Sequence, residues 1–231
     1  MQGLLYDVHG NLPALEAVLA DARSAGVDRW VLGGDYALFG GWPAETVARL
    51  RELRPAIWIR GNGERWTADP DAAPPDNPVV PGAVAMAREA LGPELVDDLA
   101  SLPFSCSLER ALVCHGSPLS DVRSFARDEP SDDEEELLDG TDAPRVVFGH
   151  THLPFERRSP VGGIELLNPG SVGMPFDGDT RAAYAVVHDD GRVERRRVKY
   201  DHAASSAQLR GLREDWADVV ARRIELARMD V

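Results

Sequence analysis

The chain has 231 residues, 43% of them hydrophobic and 28% charged, which is the composition of an ordinary globular protein. Its net charge of −14 argues against extended nucleic acid as a partner, because such binding depends on a broad basic surface. No apolar run approaches the roughly 18 residues of a membrane span, and residues 1–7 lack the pattern of a signal peptide. Only two cysteines occur, which suits a reducing compartment. The sequence thus predicts one domain over residues 1–231, in a cytoplasmic protein with no membrane partner.

Short apolar runs alternate with amphipathic segments in the first half of the chain. The apolar runs predict β-strands, and the segments with apolar residues at three- and four-residue spacing predict helices. The resulting order is strand 3–6, helix 13–24, strand 30–32, helix 44–53 and strand 56–59. This βαβαβ order predicts a parallel sheet whose ligands lie at the carboxyl ends of the strands.

The second half of the chain is predicted to be mostly strand. Two further helices are expected at 82–91 and 94–99, and strands are expected at 104–107, 111–114, 145–148, 164–167, 183–187 and 193–199. With so many strands after the parallel unit, the expected fold is an α/β sandwich of two sheets.

An acidic segment over residues 128–142 carries nine carboxylates and no basic residue. Within it, Ser131 and Glu134 have the S-x-x-E spacing of a capping box, which predicts a short exposed helix over 132–139 with a solvated acidic face. Calcium binding is the alternative interpretation, but the D-x-D-x-D-G spacing of a calcium loop is absent.

The C-terminal region, about 205–228, is predicted to form one amphipathic helix. Its apolar side chains recur at three- and four-residue steps and make a single stripe: Leu209, Leu212, Trp216, Val219, Val220, Ile224 and Ala227. The stripe is expected to pack on the body of the protein, with a contact in a homo-oligomer as the alternative.

Five short motifs with metal-ligand residue types follow predicted strands. They are Asp7-Val-His9-Gly-Asn11, Gly33-Gly-Asp35, Arg60-Gly-Asn62-Gly-Glu64, Cys114-His115-Gly116 and Gly149-His150-Thr-His152. Any one of them alone is explained as a surface loop. Five such motifs, each at a strand end, are not explained in this way, because independent loops have no reason to place ligand side chains repeatedly at the same edge of a sheet.

The donor types in these motifs indicate the metal. Imidazole, carboxylate and amide oxygen together favour Mn, Fe, Zn, Co or Ni over Ca. Seven donors are too many for one open site, so they predict two divalent ions that share a bridging carboxylate. Such pairs, about 3.5 to 4 Å apart, are typical of phosphoryl transfer.

The ordered set D-x-H, G-D, G-N, H-G and G-H-x-H resembles the calcineurin-like metallophosphoesterases, in particular their small bacterial and archaeal branch. The likeness extends over most of the chain, through Asn168-Pro-Gly-Ser-Val172 to the last strands. It implies a four-layer α-β-β-α sandwich of two mixed sheets flanked by helices. It also implies a dinuclear hydrolase of phosphate esters, with Mn the favoured metal.

Site roles follow from the same resemblance. It implies that Asp7, His9 and His152 hold the first metal ion, that Asp35 bridges, and that Asn62, His115 and His150 hold the second. A metal-bridging hydroxide is the implied nucleophile, since metal binding lowers the pKa of water towards roughly 7. Asp35, Asn62 and His115 are therefore expected to be catalytic.

One position departs from the commonest family pattern. Gly63 stands where a histidine, thought to protonate the leaving group, usually follows G-N. The departure predicts slow cleavage of esters with poor leaving groups.

Substrate contacts are predicted at Asn11 and Arg60. Asn11 lies beside a predicted helix N-terminus, where anions are favoured. Arg60 lies at a predicted strand end, and its two interpretations are a phosphate contact and a side chain that only covers the strand. Tyr36, Phe39 and Trp42 either line an aryl-accepting wall or pack under their loop. The expected substrate is a small phosphate ester or nucleotide-like molecule. Hydrolysis of dinucleoside polyphosphates or other pyrophosphate bonds is one alternative, and a non-catalytic metal-dependent sensor or scaffold is another.

Overall fold

Ten β-strands form two five-stranded sheets in the computed structural model of the chain, which describes residues 1–231. In chain order the strands are β1 (Gln2–Leu5), β2 (Arg29–Leu32), β3 (Ala56–Trp58), β4 (Ser105–Leu108), β5 (Ala111–Cys114), β6 (Arg145–Val147), β7 (Phe155–Arg158), β8 (Glu165–Asn168), β9 (Ala182–Val187) and β10 (Val193–Val198).

Seven α-helices accompany the strands. They are α1 (Leu12–Ser24), α2 (Pro43–Arg51), α3 (Asn62–Ala68), α4 (Val80–Ala100), α5 (Glu134–Leu137), α6 (His202–Gly211) and α7 (Asp215–Leu226). None of these helices has both the length and the apolar content that crossing a bilayer requires.

The first sheet has the strand order β10-β9-β1-β2-β3. Strands β1, β2 and β3 are parallel, as the βαβαβ pattern predicts, and β9 joins β1 in the antiparallel sense. The parallel part places the carboxyl ends of β1, β2 and β3 at one edge, which is where Asp7, Asp35 and Asn62 follow.

The second sheet has the order β4-β5-β6-β8-β7. Its three central strands are parallel, and its two edge strands, β4 and β7, are antiparallel to their neighbours. The edge strand β7 was not predicted, because Phe155–Arg158 has one apolar residue followed by three charged ones.

Apolar side chains from both sheets meet in one cluster, so the sheets pack face to face. This cluster combines Leu4 and Val31 of the first sheet with Val113, Val147 and Leu167 of the second. Helices α1 and α2 cover the outer face of the first sheet, and the segment containing α5 covers that of the second. The expected sandwich of two mixed sheets flanked by helices is confirmed.

The two helices predicted at 82–91 and 94–99 form one element, α4, with a sharp kink. Gly92 has a positive φ of 72° inside it and is followed by Pro93. A residue before proline is pushed out of the helical region, and glycine accepts the left-handed conformation at little cost.

The acidic segment differs from its prediction in length and exposure. Its helix covers only Glu134–Leu137, and Ser131 Oγ donates to Asp133 Oδ1 instead of capping the helix. Glu134 is buried, and its carboxylate pairs with both terminal nitrogens of Arg157 on β7. The expected wholly solvated acidic face is therefore wrong, because a charged partner distant in sequence draws Glu134 inwards.

The single C-terminal helix predicted over about 205–228 is also wrong, since the region forms two helices. Arg213, between α6 and α7, has a left-handed φ of 58°, which breaks the helix there. The apolar stripe does not reveal the break, because α6 and α7 fold on each other and bury the same set of residues. Trp216, Val220 and Ile224 are buried in one apolar cluster that also contains Trp66.

Candidate metal centre

All seven predicted metal ligands lie at the carboxyl ends of parallel strands. The loop after β1 supplies Asp7 and His9, the loop after β2 supplies Asp35, and α3 begins at Asn62 directly after β3. From the second sheet, His115 follows β5, and His150 and His152 follow β6. Because the two sheets face each other with these edges on the same side, residues far apart in sequence converge.

Five of these residues adopt the left-handed backbone conformation. Asp7, His9, Asp35, His150 and His152 have φ values between 50° and 62°. That conformation costs a residue other than glycine roughly 1–2 kcal/mol. Such strain persists only where the surroundings hold it in place, and it is concentrated at functional sites. The strained backbone of these loops therefore marks the strand ends as a candidate functional site.

The first ligand group contains Asp7, His9 and His152, whose ligand atoms all lie within 4.8 Å of one another. His9 Nδ1 lies 2.9 Å from the Leu38 carbonyl, and His152 Nδ1 lies 2.5 Å from the Met174 carbonyl. Each Nδ1 therefore carries the proton, and each Nε2 presents a lone pair to the site. The two Nε2 atoms are only 3.0 Å apart.

The second ligand group is built around Asn62. Its amide oxygen lies 3.1 Å from His115 Nε2 and 2.9 Å from His150 Nδ1. His115 is fixed by its own Nδ1, which lies 2.8 Å from the Gly33 carbonyl. Both ring nitrogens thus lie within contact distance of the Asn62 amide, whose nitrogen donates to both rings when the amide is turned over.

Both carboxylates reach both groups. Asp35 Oδ1 lies 3.5 Å from His115 Nε2, and its Oδ2 lies 3.8 Å from His9 Nε2. Asp7 Oδ1 lies 3.6 Å from His152 Nε2 and 3.8 Å from His115 Nε2. The sequence pattern suggested one bridging carboxylate; the geometry places two between the histidine groups.

The electrostatics of the buried centre call for cations. Asp7 and Asp35 are buried, and no lysine or arginine forms an ion pair with either of them. Burial and the nearby charge of Asp35 raise the pKa of Asp7 to about 8. Burial lowers the pKa of His9 and of His152, so both rings are neutral. The two carboxylates have one cationic neighbour, His115, whose pKa they raise to about 10. Buried carboxylates without a lysine or arginine partner, together with facing imidazole lone pairs, fit divalent metal ions.

Two glycines allow the chain to pass close to the carboxylates. A Cβ at Gly149 would lie 2.7 Å from Asp7 Oδ2, and a Cβ at Gly63 would lie 2.8 Å from Asp35 Oδ1. The Gly63 amide instead donates to Asp35 Oδ1 at 2.7 Å. The glycines of the predicted motifs thus leave room for the ligands.

Glu64 has a positioning role that the sequence did not reveal. Its buried carboxylate accepts hydrogen bonds from the backbone amides of Asp35, Tyr36 and Gly61 at 2.7–2.9 Å. It thereby ties the loop after β2 to the start of α3. The available signal was its position at the third residue of α3, where a glutamate reaches back to the residue before the helix.

A cleft of about 530 Å³ opens over the ligand groups. His9, Asp35, Asn62, His150 and His152 line it, whereas His115 is fully buried beneath.

The aromatic residues after β2 divide between the two roles that the sequence left open. Phe39 lines the cleft, and Tyr36 is fully buried, donating to the carbonyls of Leu32 and Ile59. Trp42 does not line the cleft.

The amide of Asn11, a predicted substrate contact, is engaged within the fold. Its oxygen accepts from the Ala14 amide and from Ser205 Oγ, at 3.3 and 2.8 Å. Its nitrogen donates to the Gly173 carbonyl and to the Tyr200 hydroxyl, at 2.7 and 3.2 Å. Asn11 caps α1 and does not line the cleft.

Arg60, the other predicted substrate contact, also lies outside the cleft lining. Its Nη1 is 3.7 Å from Asp121 Oδ2, and its guanidinium lies over the Phe104 ring at 5.8 Å. These neighbours hold Arg60 at the end of β3.

Comparison with known proteins extends these observations. The chain is 27% identical over 221 residues to the uncharacterized protein MJ0912 of Methanocaldococcus jannaschii, a match covering 87% of this chain and 88% of that one. It is 28% identical over 193 residues to phosphodiesterase YfcE of Escherichia coli, covering 80% of this chain and 85% of YfcE.

A solved structure agrees over nearly the whole chain. The metallophosphoesterase from Sphaerobacter thermophilus superposes with a TM-score of 0.83 at 31% identity, and the match covers 98% of each chain. The family model for the calcineurin-like phosphoesterase superfamily domain matches residues 2–192. This chain therefore belongs to the calcineurin-like phosphoesterase superfamily, and it is a metal-dependent phosphoester hydrolase.

Proposed function

We propose that the chain is a dinuclear hydrolase that cleaves small phosphodiesters. The observation that carries the proposal is the pair of ligand groups, joined by two carboxylates, at the floor of one cleft. Asp7, His9 and His152 would hold one ion. Asn62, His115 and His150 would hold the other, with Asp35 between them.

The metal ions, when bound, supply an activated water as nucleophile and neutralise charge on the phosphate oxygens. The chain's own residues prepare the site for this chemistry. Hydrogen bonds from Nδ1 to backbone carbonyls set the tautomers of His9, His115 and His152 and aim each Nε2 inwards. The amide of Gly63 and the carboxylate of Glu64 hold Asp35 in place.

The leaving group receives little help from the chain. No side chain is present at position 63, and His115 lies below the cleft surface. A positioned general acid typically contributes a factor of about 10² to 10⁴. Activated aryl esters, whose phenolates depart without a proton, should therefore react much faster than alkyl esters.

Mn is the metal that we propose, because the set of imidazole, carboxylate and amide oxygen suits borderline ions. The phosphodiesterase name of YfcE supports a diester substrate. A pyrophosphate-bond hydrolase remains the alternative within the same chemistry.

Metal content and turnover test the proposal together. The purified protein should bind two Mn ions per chain and hydrolyse bis-p-nitrophenyl phosphate, and a chelator should abolish the activity reversibly. Diadenosine tetraphosphate is assayed in parallel to test for pyrophosphate cleavage. Two bound ions without turnover of either substrate would instead favour a sensor or scaffold.

A further inference from the structure

Three unpaired polar atoms belong to residues that line the cleft. Only four buried side-chain nitrogen or oxygen atoms in the chain lack a hydrogen-bond partner. One is Thr46 Oγ1; the other three are Trp66 Nε1, Ser124 Oγ and Arg223 Nε, and all three residues line the cleft. A buried donor without a partner costs roughly 1–3 kcal/mol, so three such residues in the lining of one cleft indicate a missing ligand.

Arg223 on α7 is the most informative of the three. Its guanidinium is half-buried, makes no hydrogen bond and forms no ion pair with any residue of the chain. Burial without a compensating carboxylate lowers its pKa. Every other half-buried arginine faces an aspartate or glutamate within 4.0 Å, namely Arg29, Arg49, Arg60, Arg65, Arg145, Arg157, Arg196 and Arg197.

The acidic residues of the cleft are already engaged. Asp133 accepts from Arg123 at 3.0 Å and from Ser131 at 2.7 Å. Asp35 belongs to the metal centre. In a chain of 39 acidic residues, Arg223 is thus left without a carboxylate beside the one cleft that contains the metal ligands.

An apolar wall completes the cleft. Phe176 stacks on His152 with ring centroids 4.4 Å apart and an interplanar angle of 13°. Phe39, Val122 and Met229 also line the cleft, and the last two expose 42% and 60% of their surface. This wall suits an apolar or planar substrate moiety, such as a sugar with its base.

We propose that Arg223, with Ser124 and Trp66, forms a subsite that binds a second anionic group on the substrate, a phosphate or carboxylate separate from the ester being cleaved. This inference rests on the proposed function. A guanidinium offers five donors in a planar fork that matches an oxyanion, and the hydroxyl and indole N–H add two more. The substrate class is therefore a phosphodiester that carries a further anion beyond an apolar or planar linker.

Three substrates that share the p-nitrophenolate leaving group and differ only at the 3′ position test the subsite. Thymidine 5′-(p-nitrophenyl phosphate) lacks a second anion; its 3′-phosphate and its 3′-O-carboxymethyl ether carry one. In the native Mn-loaded protein, kcat/KM should be about 10- to 100-fold higher for at least one of the two anionic substrates, mainly through KM. The two analogues show whether phosphate or carboxylate is preferred. Equal kcat/KM for all three substrates would overturn the proposal.

Substitutions of Arg223 test whether this residue causes the preference for substrates with a second anion. Arg223→Gln should bring kcat/KM for the two anionic substrates down to that for the substrate without a second anion, whereas Arg223→Lys should retain part of the preference. Arg222→Gln is the matched control, because Arg222 is the exposed neighbour on α7. A preference that survives in Arg223→Gln would contradict the assignment. So would an equal loss of all three activities in Arg223→Gln and Arg223→Lys, which would indicate a structural role.

Binding measurements distinguish failure of the subsite from failure of the proposed function. Calorimetry on the Mn-loaded protein compares thymidine 3′,5′-bisphosphate with thymidine 5′-phosphate. The bisphosphate should bind at least tenfold more tightly to the native protein than to Arg223→Gln. If this holds while no diester is turned over, the subsite stands and the proposed function fails; if the two ligands bind equally to the native protein, the subsite fails.

Discussion

Asp35→Asn removes the carboxylate that lies between the two ligand groups with little change of shape. The variant can keep the backbone contact at this position, because an amide oxygen can accept from the Gly63 N–H where Asp35 Oδ1 now does at 2.7 Å. What it loses is the negative charge that faces His115 at 3.5 Å and His9 at 3.8 Å. The variant should fold, and it should bind metal more weakly than the native protein.

The expected change in stability follows from the linkage between metal binding and folding. A metal ion at 100 times its Kd stabilises the folded state by about 2.7 kcal/mol per site. The native protein should therefore gain about 5 kcal/mol from two Mn ions. Asp35→Asn should retain at most one ion and lose at least about half of that gain. The charge stabilisation supplied by bound metal is worth several kcal/mol, so turnover should fall by about 10³-fold or more.

Three measurements check this prediction: metal content per chain, urea unfolding with and without Mn, and hydrolysis of bis-p-nitrophenyl phosphate. Asp142→Asn is the control, since Asp142 is exposed, forms no ion pair and lies away from the cleft. It should match the native protein in all three. Two bound ions and native turnover in Asp35→Asn would refute the assignment of Asp35 to the centre.

The remaining predictions concern the acidic segment, the leaving group and the glycine beside the centre. Glu134→Gln should lower the free energy of unfolding by about 3 kcal/mol, because it leaves the Arg157 charge uncompensated, whereas the exposed neighbour Glu135→Gln should change it by less than about 0.5 kcal/mol. Equal urea midpoints for these two variants would contradict the buried pair. Turnover of phosphodiesters should decline steeply with leaving-group pKa, and a flat series would mean that some residue donates the proton. Gly63→Ala should weaken Mn binding, since its Cβ would lie 2.8 Å from Asp35 Oδ1; native Mn affinity in this variant would show that the loop adjusts.

Local patterns in the sequence are enough to predict the parallel strands and the metal-ligand residue types at their ends. Apolar runs and helical spacing are local properties, so β1, β2 and β3 with their crossover helices could be predicted within a few residues. The five motifs could be placed at one edge for the same reason, since parallel strands end together. The resemblance of these motifs to the calcineurin-like metallophosphoesterases then predicts which seven side chains bind metal.

Contacts between segments distant in sequence set the features that no local pattern reveals. Glu134 turns inwards because its partner lies on β7, a strand whose charged sequence carries no periodic signal. The C-terminal stripe is continuous in sequence but broken at Arg213, because two short helices that pack on each other bury the same apolar positions as one long helix. Trp66 and Arg223 come from helices far apart in the chain, and no local pattern relates them. Their shared lack of partners depends on three-dimensional packing, which brings unpaired donors to the cleft lined by the candidate metal ligands.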